Sequence, residues 1–180
     1  MRHLRGKPRR TGIIPYTVLD NVIYCLLGVD RQSSDYSDFG GGRKRNESFA
    51  MGAVRECREE TENILSFKPD MIENYLSIWN EKIGIVFVPV MLTDMQIKSI
   101  ADIINVKLAQ KDTAEMASVE WISWDVFIDI IKHQSYKQHK LYEEIRSLLY
   151  DDFYHPNRLK HILVNKYNSC PLIVTDCISE

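Results

Sequence analysis

No stretch of this 180-residue chain is apolar over anything near the ~20 positions of a membrane-spanning helix, so no membrane partner is expected. Net charge is also nearly absent: 23 basic and 25 acidic side chains leave −2, too little for the chain as a whole to draw in nucleic acid. Cysteine is scarce. Cys25, Cys57, Cys170 and Cys177 show no CxxC spacing, and the first two lie inside apolar patterns. Buried thiols in a reducing, cytoplasmic setting are expected. The five histidines (His3, His133, His139, His155, His161) lack ligand spacing and carry no expected role. No linker, repeat or low-complexity tract divides the chain, so one domain over residues 11–180 is expected, its last 25 or so residues being the least readable. Acids are missing from residues 1–10, where Arg2, Arg5, Lys7, Arg9 and Arg10 form a basic head. That head has no apolar core, so a signal peptide is not expected. It reads as a free tail, with RNA phosphate contact as the alternative.

What is present is the composition of a soluble globular domain: 44% hydrophobic and 27% charged residues. Residues 11–19 and 22–29 are apolar and β-branched around Asp20-Asn21, a turn pair, and predict two neighbouring strands. Helical spacing runs from Ser48 to about Glu62. Two strands are expected at 75–80 and 83–92 around Glu81-Lys82, then a helix over 93–110 capped by Thr93 or Asp94. A strand at 117–123, a helix at 124–133 and a helix at 140–154 follow, giving an α/β domain. Of Trp79, Trp121 and Trp124, Trp121 is the better core candidate because it sits in a strand.

Residues 40–63, GGGRKRNESFAMGAVRECREETEN, carry the chemistry. On a helix, Glu56, Glu59 and Glu60 fall within about 100° of arc, with Ala50, Val54 and Cys57 largely on the other side. Three carboxylates at that spacing either face water, relieved by Arg55 and Arg58, or form an oxygen cage for Mg²⁺ or Mn²⁺. The residues before them favour the cage. Gly40, Gly41 and Gly42 read as a loop open to positive φ and to close approach by phosphate. Arg43, Lys44 and Arg45 place cations beside it. Together these describe a site for a metal-bridged polyphosphate.

The same stretch resembles the box of the Nudix hydrolases, G-x5-E-x7-R-E-U-x-E-E-x-G-U, U being a bulky aliphatic residue. Gly41 opens it, Glu47 follows, then Arg55-Glu56, Cys57 at the first U, and Glu59-Glu60. The late glycine is Glu62 here and the last aliphatic is Asn63, so the helix end is expected to shift by one residue, with Asn63 as left-handed cap and Ile64 as apolar anchor. The resemblance implies an α/β/α sandwich with a mixed sheet and hydrolysis of a diphosphate linked to another group, with Mg²⁺ or Mn²⁺ as cofactor. By position it implies Glu59 and Glu60 as principal metal ligands and Glu56 as ligand or base. Glu47 would act through water, the Gly41 carbonyl is a candidate ligand, and Arg55 would orient the glutamates. A later carboxylate often joins such sites; Glu115 is the candidate, ahead of Glu120, which alternates with the apolar positions of its strand. A nucleotide-type diphosphate is the simplest substrate. Capped mRNA, a diphosphoinositol polyphosphate, and a non-catalytic binding module are the alternatives, with RNA contact through the basic segments.

Overall fold

A computed structural model of the chain describes residues 8–133, 136–150, 156–169 and 172–173. Strands β1 (Arg10–Leu19) and β2 (Val22–Asp30) form the expected hairpin. Asp20 and Asn21, at φ 48° and 63°, supply the left-handed turn, a conformation that Asn and Asp tolerate best after glycine. Strands β3 (Tyr36–Ser37) and β4 (Phe39–Gly42) come next, then helix α1 (Phe49–Glu60) and the short α2 (Pro69–Ile72). The remainder is β5 (Leu76–Trp79), β6 (Ile83–Met91), α3 (Asp94–Ala109), β7 (Met116–Ser123), α4 (Trp124–His133), α5 (Glu143–Tyr150), α6 (Pro156–Ser169) and β8 (Leu172–Ile173).

The sheet is mixed, in the order β3-β2-β1-β6-β5. β1 runs parallel to β6 and antiparallel to both β2 and β4. Its first four residues pair with β4 and its last four with β2. Pro15, with no N–H to donate, falls in the gap between these partners. β7 pairs with β2, and β8 with β6.

Side chains alternate between the faces of a strand, and each face carries its own core. Ile14, Tyr16, Cys25, Leu27, Ile85 and Phe87 pack against α4, α5 and α6 on one side. Ile13, Leu26, Val86, Val88 and Val90 pack against α1 and α3 on the other. The result is the expected α/β/α sandwich. Of the two expected caps of α3, Thr93 is the one used, in a capping box with Gln96. Cys25 and Cys57 are buried free thiols, while Cys170 and Cys177 lie outside the described residues. No helix among the described residues is long and apolar enough to cross a membrane.

Two expectations change, and one segment left without an expected element gains one. Gly40–Gly42 belong to strand β4, not to a loop: β4 pairs along β1, where a Cβ would clash at Gly40 and Gly41 while Gly42 has open space. Trp124, buried at the start of α4, is the core tryptophan, whereas Trp121 is half-buried and donates its indole N–H to the Ile97 carbonyl (2.9 Å). Residues 156–169, where the sequence is least readable, form α6, whose Leu159 and Leu163 join the core while the Leu163 carbonyl accepts the Tyr16 hydroxyl (2.9 Å). Of the basic head, Arg2, Arg5 and Lys7 lie outside the described residues; Arg10 is the first residue of β1.

Candidate active site

β4 lies antiparallel to the start of β1, with Gly40 opposite Gly12 and Gly41 opposite Thr11. A Cβ on Gly40 would stand 2.6 Å from the Gly12 Cα, and one on Gly41 would stand 2.6 Å from the Glu56 carboxyl carbon. The glycines therefore serve close packing: Gly40 lets two strands meet, and Gly41 makes room for a carboxylate. This differs from the expected positive-φ phosphate loop. The helix begins where expected, at Ser48, whose hydroxyl accepts from the Met51 N–H (3.1 Å).

α1 brings the charged residues together through Arg55. Its guanidinium donates to Glu47 (Nε to Oε1, 2.6 Å; Nη2 to Oε2, 3.0 Å), to Glu56 Oε1 (2.6 Å), to Glu59 Oε2 (3.2 Å) and to the Gly42 carbonyl (3.0 Å). These charge-assisted bonds bring Glu47, Glu56 and Glu59 around one cation. They pull the Glu47 carboxyl down to about 2, the bonds from Arg55 being the first cause. Both Glu47 oxygens are engaged, one also by the Lys44 N–H (2.8 Å). Arg43 turns inward, donating to the Pro8 and Glu47 carbonyls (3.1 and 2.7 Å), so of the three cations after the glycines only Lys44 and Arg45 are exposed.

The carboxylates do not share one solvated face. Glu60 continues the docking stripe of Ala50, Ala53 and Cys57 and is 8% exposed, whereas Glu59 points to water. The spacing of 53, 57 and 60 explains this, since residues three and four apart share a helix face. Burial raises the proton affinity of Glu60 well above that of an ordinary carboxyl, and Asp38 raises it further. Glu60 Oε2 is buried without a hydrogen-bond partner. Glu56 is shifted upward as well, first by desolvation and against the pull of Arg55. Beneath them lies an ion pair that the sequence did not signal: Arg10 Nη2 meets Asp38 Oδ1 at 2.6 Å, with Asp38 fully buried, and also donates to the Gly40 carbonyl (2.8 Å).

The end of α1 is a Schellman motif. The Asn63 N–H bonds to the Arg58 carbonyl (2.8 Å) and the Glu62 N–H to the Glu59 carbonyl (3.3 Å). Glu62 itself takes the left-handed position, at φ 55°, followed by Asn63 at φ 63°. The helix end does not shift; Glu62 adopts the conformation glycine would have, which costs a side-chain-bearing residue about 1–2 kcal/mol. Ile64 is buried, as expected for the anchor. Glu62 pairs with Lys111, at the end of α3.

Glu56, Glu59, Glu60 and Glu62 line a cavity of about 190 Å³, with Leu108, Lys111 and residues 113–116 on its other side. Glu115 lies in that wall, and its charge adds to the upward shifts of Glu56 and Glu60. Glu120 turns to the opposite face, where it accepts the Tyr36 hydroxyl (2.9 Å) and pairs with Lys137. Lys111 and Asp38 are residues of this region that sequence reasoning passed over, and Glu62, noted only as standing at the late glycine, gains a partner in Lys111.

Among the described residues, no three His, Cys, Asp or Glu side chains converge closely enough to hold an ion as they stand. The donor set nevertheless fits a hard divalent cation: the candidates are oxygens, one of them, Glu60 Oε2, is buried and unpartnered, and the absent Cβ at Gly41 frees the space that Glu56 occupies.

No family model and no curated protein sequence matches the chain. Among solved structures, the chain is similar to a Caenorhabditis elegans Ap4A hydrolase in a binary complex, at 15% identity over 87% of this chain and 98% of that one, with a TM-score of 0.47. It is similar to the Mycobacterium smegmatis Nudix hydrolase RenU at 12% identity over 93% and 90%, TM-score 0.49. A MutT/nudix family protein from Enterococcus faecalis matches at 16% identity and a TM-score of 0.40, over 65% of this chain but 44% of that protein's length. Likeness at these identities and TM-scores assigns neither family nor activity, so a functional reading rests on the box residues and on how the fold arranges them.

Proposed function

We propose that this chain is a Nudix-type hydrolase that cleaves a diphosphate linkage, most simply in a nucleotide-type substrate, with Mg²⁺ or Mn²⁺. The observation that carries the reading is the cavity itself: Glu56, Glu59 and Glu60 of the box and Glu115, 55 to 59 residues further on in the sequence, line one space, with a buried carboxylate oxygen lacking a partner.

Glu60, Glu59 and Glu56 would hold the cation, with the Gly41 carbonyl as a further donor. When bound, it would offset the carboxylate repulsion and take up charge on the phosphate oxygens. Hydrolysis forms one P–O bond from water, breaks the bridging P–O bond and releases a proton that a carboxylate accepts. Glu56, its proton affinity raised by burial, and Glu115 are the two candidates for that base. Arg55 sets the rotamers of Glu47, Glu56 and Glu59 by direct hydrogen bonds and has no need to touch substrate. Exposed Arg9, Lys44 and Arg45 are the cations of the described basic segments left to meet phosphate, with Arg10 and Arg43 engaged internally.

Product analysis by mass spectrometry tests the reading. Protein with Mn²⁺ meets nucleoside polyphosphates, nucleotide sugars, ADP-ribose, capped RNA and diphosphoinositol phosphates, with Glu60→Gln as control. Metal-dependent cleavage of a small nucleotide, absent in the control, is expected. Cleavage of capped RNA or of a diphosphoinositol alone moves the substrate class, and no turnover across the panel with metal bound favours a binding module.

A further inference from the structure

A helix that merely had to stop after Thr61 would do best with Gly or Asn at the next position. This one has Glu62 there, in a left-handed conformation, with a side chain only 11% exposed. Its carboxylate does not turn to water; it pairs with Lys111, 49 residues on in the chain. Lys111 begins the loop that leads from α3 to β7 and carries Glu115. That loop is pinned at both ends. Leu108 and Met116 are buried, and the Arg31 guanidinium reaches both of their carbonyls (3.4 Å each) while the Arg31 N–H donates to the Glu115 carbonyl (2.8 Å). Between those points the Lys111 N–H reaches the Leu108 carbonyl (3.2 Å) and the Ala114 N–H reaches the Lys111 carbonyl (3.3 Å). The Glu62–Lys111 pair ties this span across the cavity to the helix that bears Glu56, Glu59 and Glu60.

We propose that the Glu62–Lys111 ion pair is a strap that holds the 110–116 loop against the end of α1 and sets where Glu115 stands relative to Glu56 and Glu60. Glu62 is then a positioning residue. It keeps a left-handed backbone that a smaller residue would adopt more easily because only a long carboxylate reaches Lys111. The strap itself stands on the ion pair and the loop's anchors; its consequence for the site rests on the metal-site reading above.

Glu62→Gly separates this role from a purely structural one, since glycine relieves the left-handed backbone while removing the strap. Three readouts follow: melting temperature, hydrogen exchange of peptides spanning 110–116, and binding of Mn²⁺ alone. Glu62→Gly is expected to melt no lower than the parent chain, yet to exchange at 110–116 at least about tenfold faster and to bind Mn²⁺ several-fold more weakly. Lys111→Met should show the same exchange and Mn²⁺ effects, and the charge reversal Glu62→Lys with Lys111→Glu should recover both. Parent-like exchange at 110–116 in both single variants overturns the strap. Faster exchange with unchanged Mn²⁺ affinity overturns the positioning role. If the parent chain binds no Mn²⁺, the metal-site reading fails and the positioning role with it, and exchange alone still decides whether the strap exists.

Discussion

Replacing Glu60 with Gln should make the metal-free protein more stable while abolishing metal-dependent activity. Glu60 is 8% exposed, one of its oxygens has no partner, and both burial and neighbouring Asp38 disfavour its charged form. Arg10 opposes this but is already spent on Asp38 at 2.6 Å. A buried polar group left unsatisfied costs roughly 1–3 kcal/mol, and for a domain of this length each kcal/mol moves the melting temperature by about 2–4 °C. Glu60→Gln should therefore raise it by roughly 2–12 °C at pH 8 without metal. The sign depends on pH. A carboxyl whose folded proton affinity is raised contributes nothing adverse below its unfolded pKa of ~4.3, and it weakens the fold as pH rises through the folded value. The advantage of Gln should vanish below about pH 4 and grow toward neutrality. Adding Mn²⁺ should reverse the ranking by stabilising the parent chain more. Differential scanning calorimetry at pH 4 and pH 8, with and without Mn²⁺, reads all four conditions. A variant that melts lower than the parent at pH 8 without metal would refute the reasoning.

Arg55→Lys should lower stability by about 1–3 kcal/mol, because an ammonium cannot span the carboxylates that the planar fork engages; urea unfolding measures it, and an unchanged midpoint would dismiss Arg55 as the organiser. The Glu47–Arg55 bonds contribute stability that is full above the ordinary carboxyl pKa and lost as pH falls toward about 2, so Glu47→Gln should flatten the parent's loss of stability between those values. Gly41→Ala should reduce turnover at least about tenfold while leaving far-ultraviolet dichroism intact, since the added methyl would meet the Glu56 carboxylate rather than backbone; parent-like kcat would show that Glu56 can move away freely. Glu115→Gln should lower kcat by about 10²-fold or more while Glu120→Gln leaves it unchanged, and equal effects from the two would undo the assignment of Glu115.

Much of this architecture was legible in the residues because each half-buried strand alternates and each helix carries its stripe. The Asp20-Asn21 turn, the Thr93-Gln96 cap and the coincidence of Glu47, Arg55, Glu56, Glu59 and Glu60 in one box are local signals, readable within a few positions of chain. What escaped was non-local. That Gly40–Gly42 form a strand depends on Gly12, 28 residues earlier than Gly40, lying opposite. That Glu60 turns inward follows from its place three residues after Cys57 on the docking stripe, a signal hidden when the three glutamates are grouped on one arc. The Arg10–Asp38 pair and the Glu62–Lys111 pair join residues with no pattern between them. α6 was obscured because its apolar stripe is thin, with Leu159 and Leu163 as its fully buried members among polar neighbours.

The central claim is that the box glutamates form one divalent-cation site, and Mn²⁺ titration followed by electron paramagnetic resonance tests it most directly. The parent chain should bind Mn²⁺ saturably, and Glu59→Gln and Glu60→Gln should each weaken binding by at least about tenfold with the fold intact. Equal Mn²⁺ affinity in all three proteins would contradict the account, leaving Glu56, Glu59 and Glu60 as a charged helix face organised by Arg55 and nothing more.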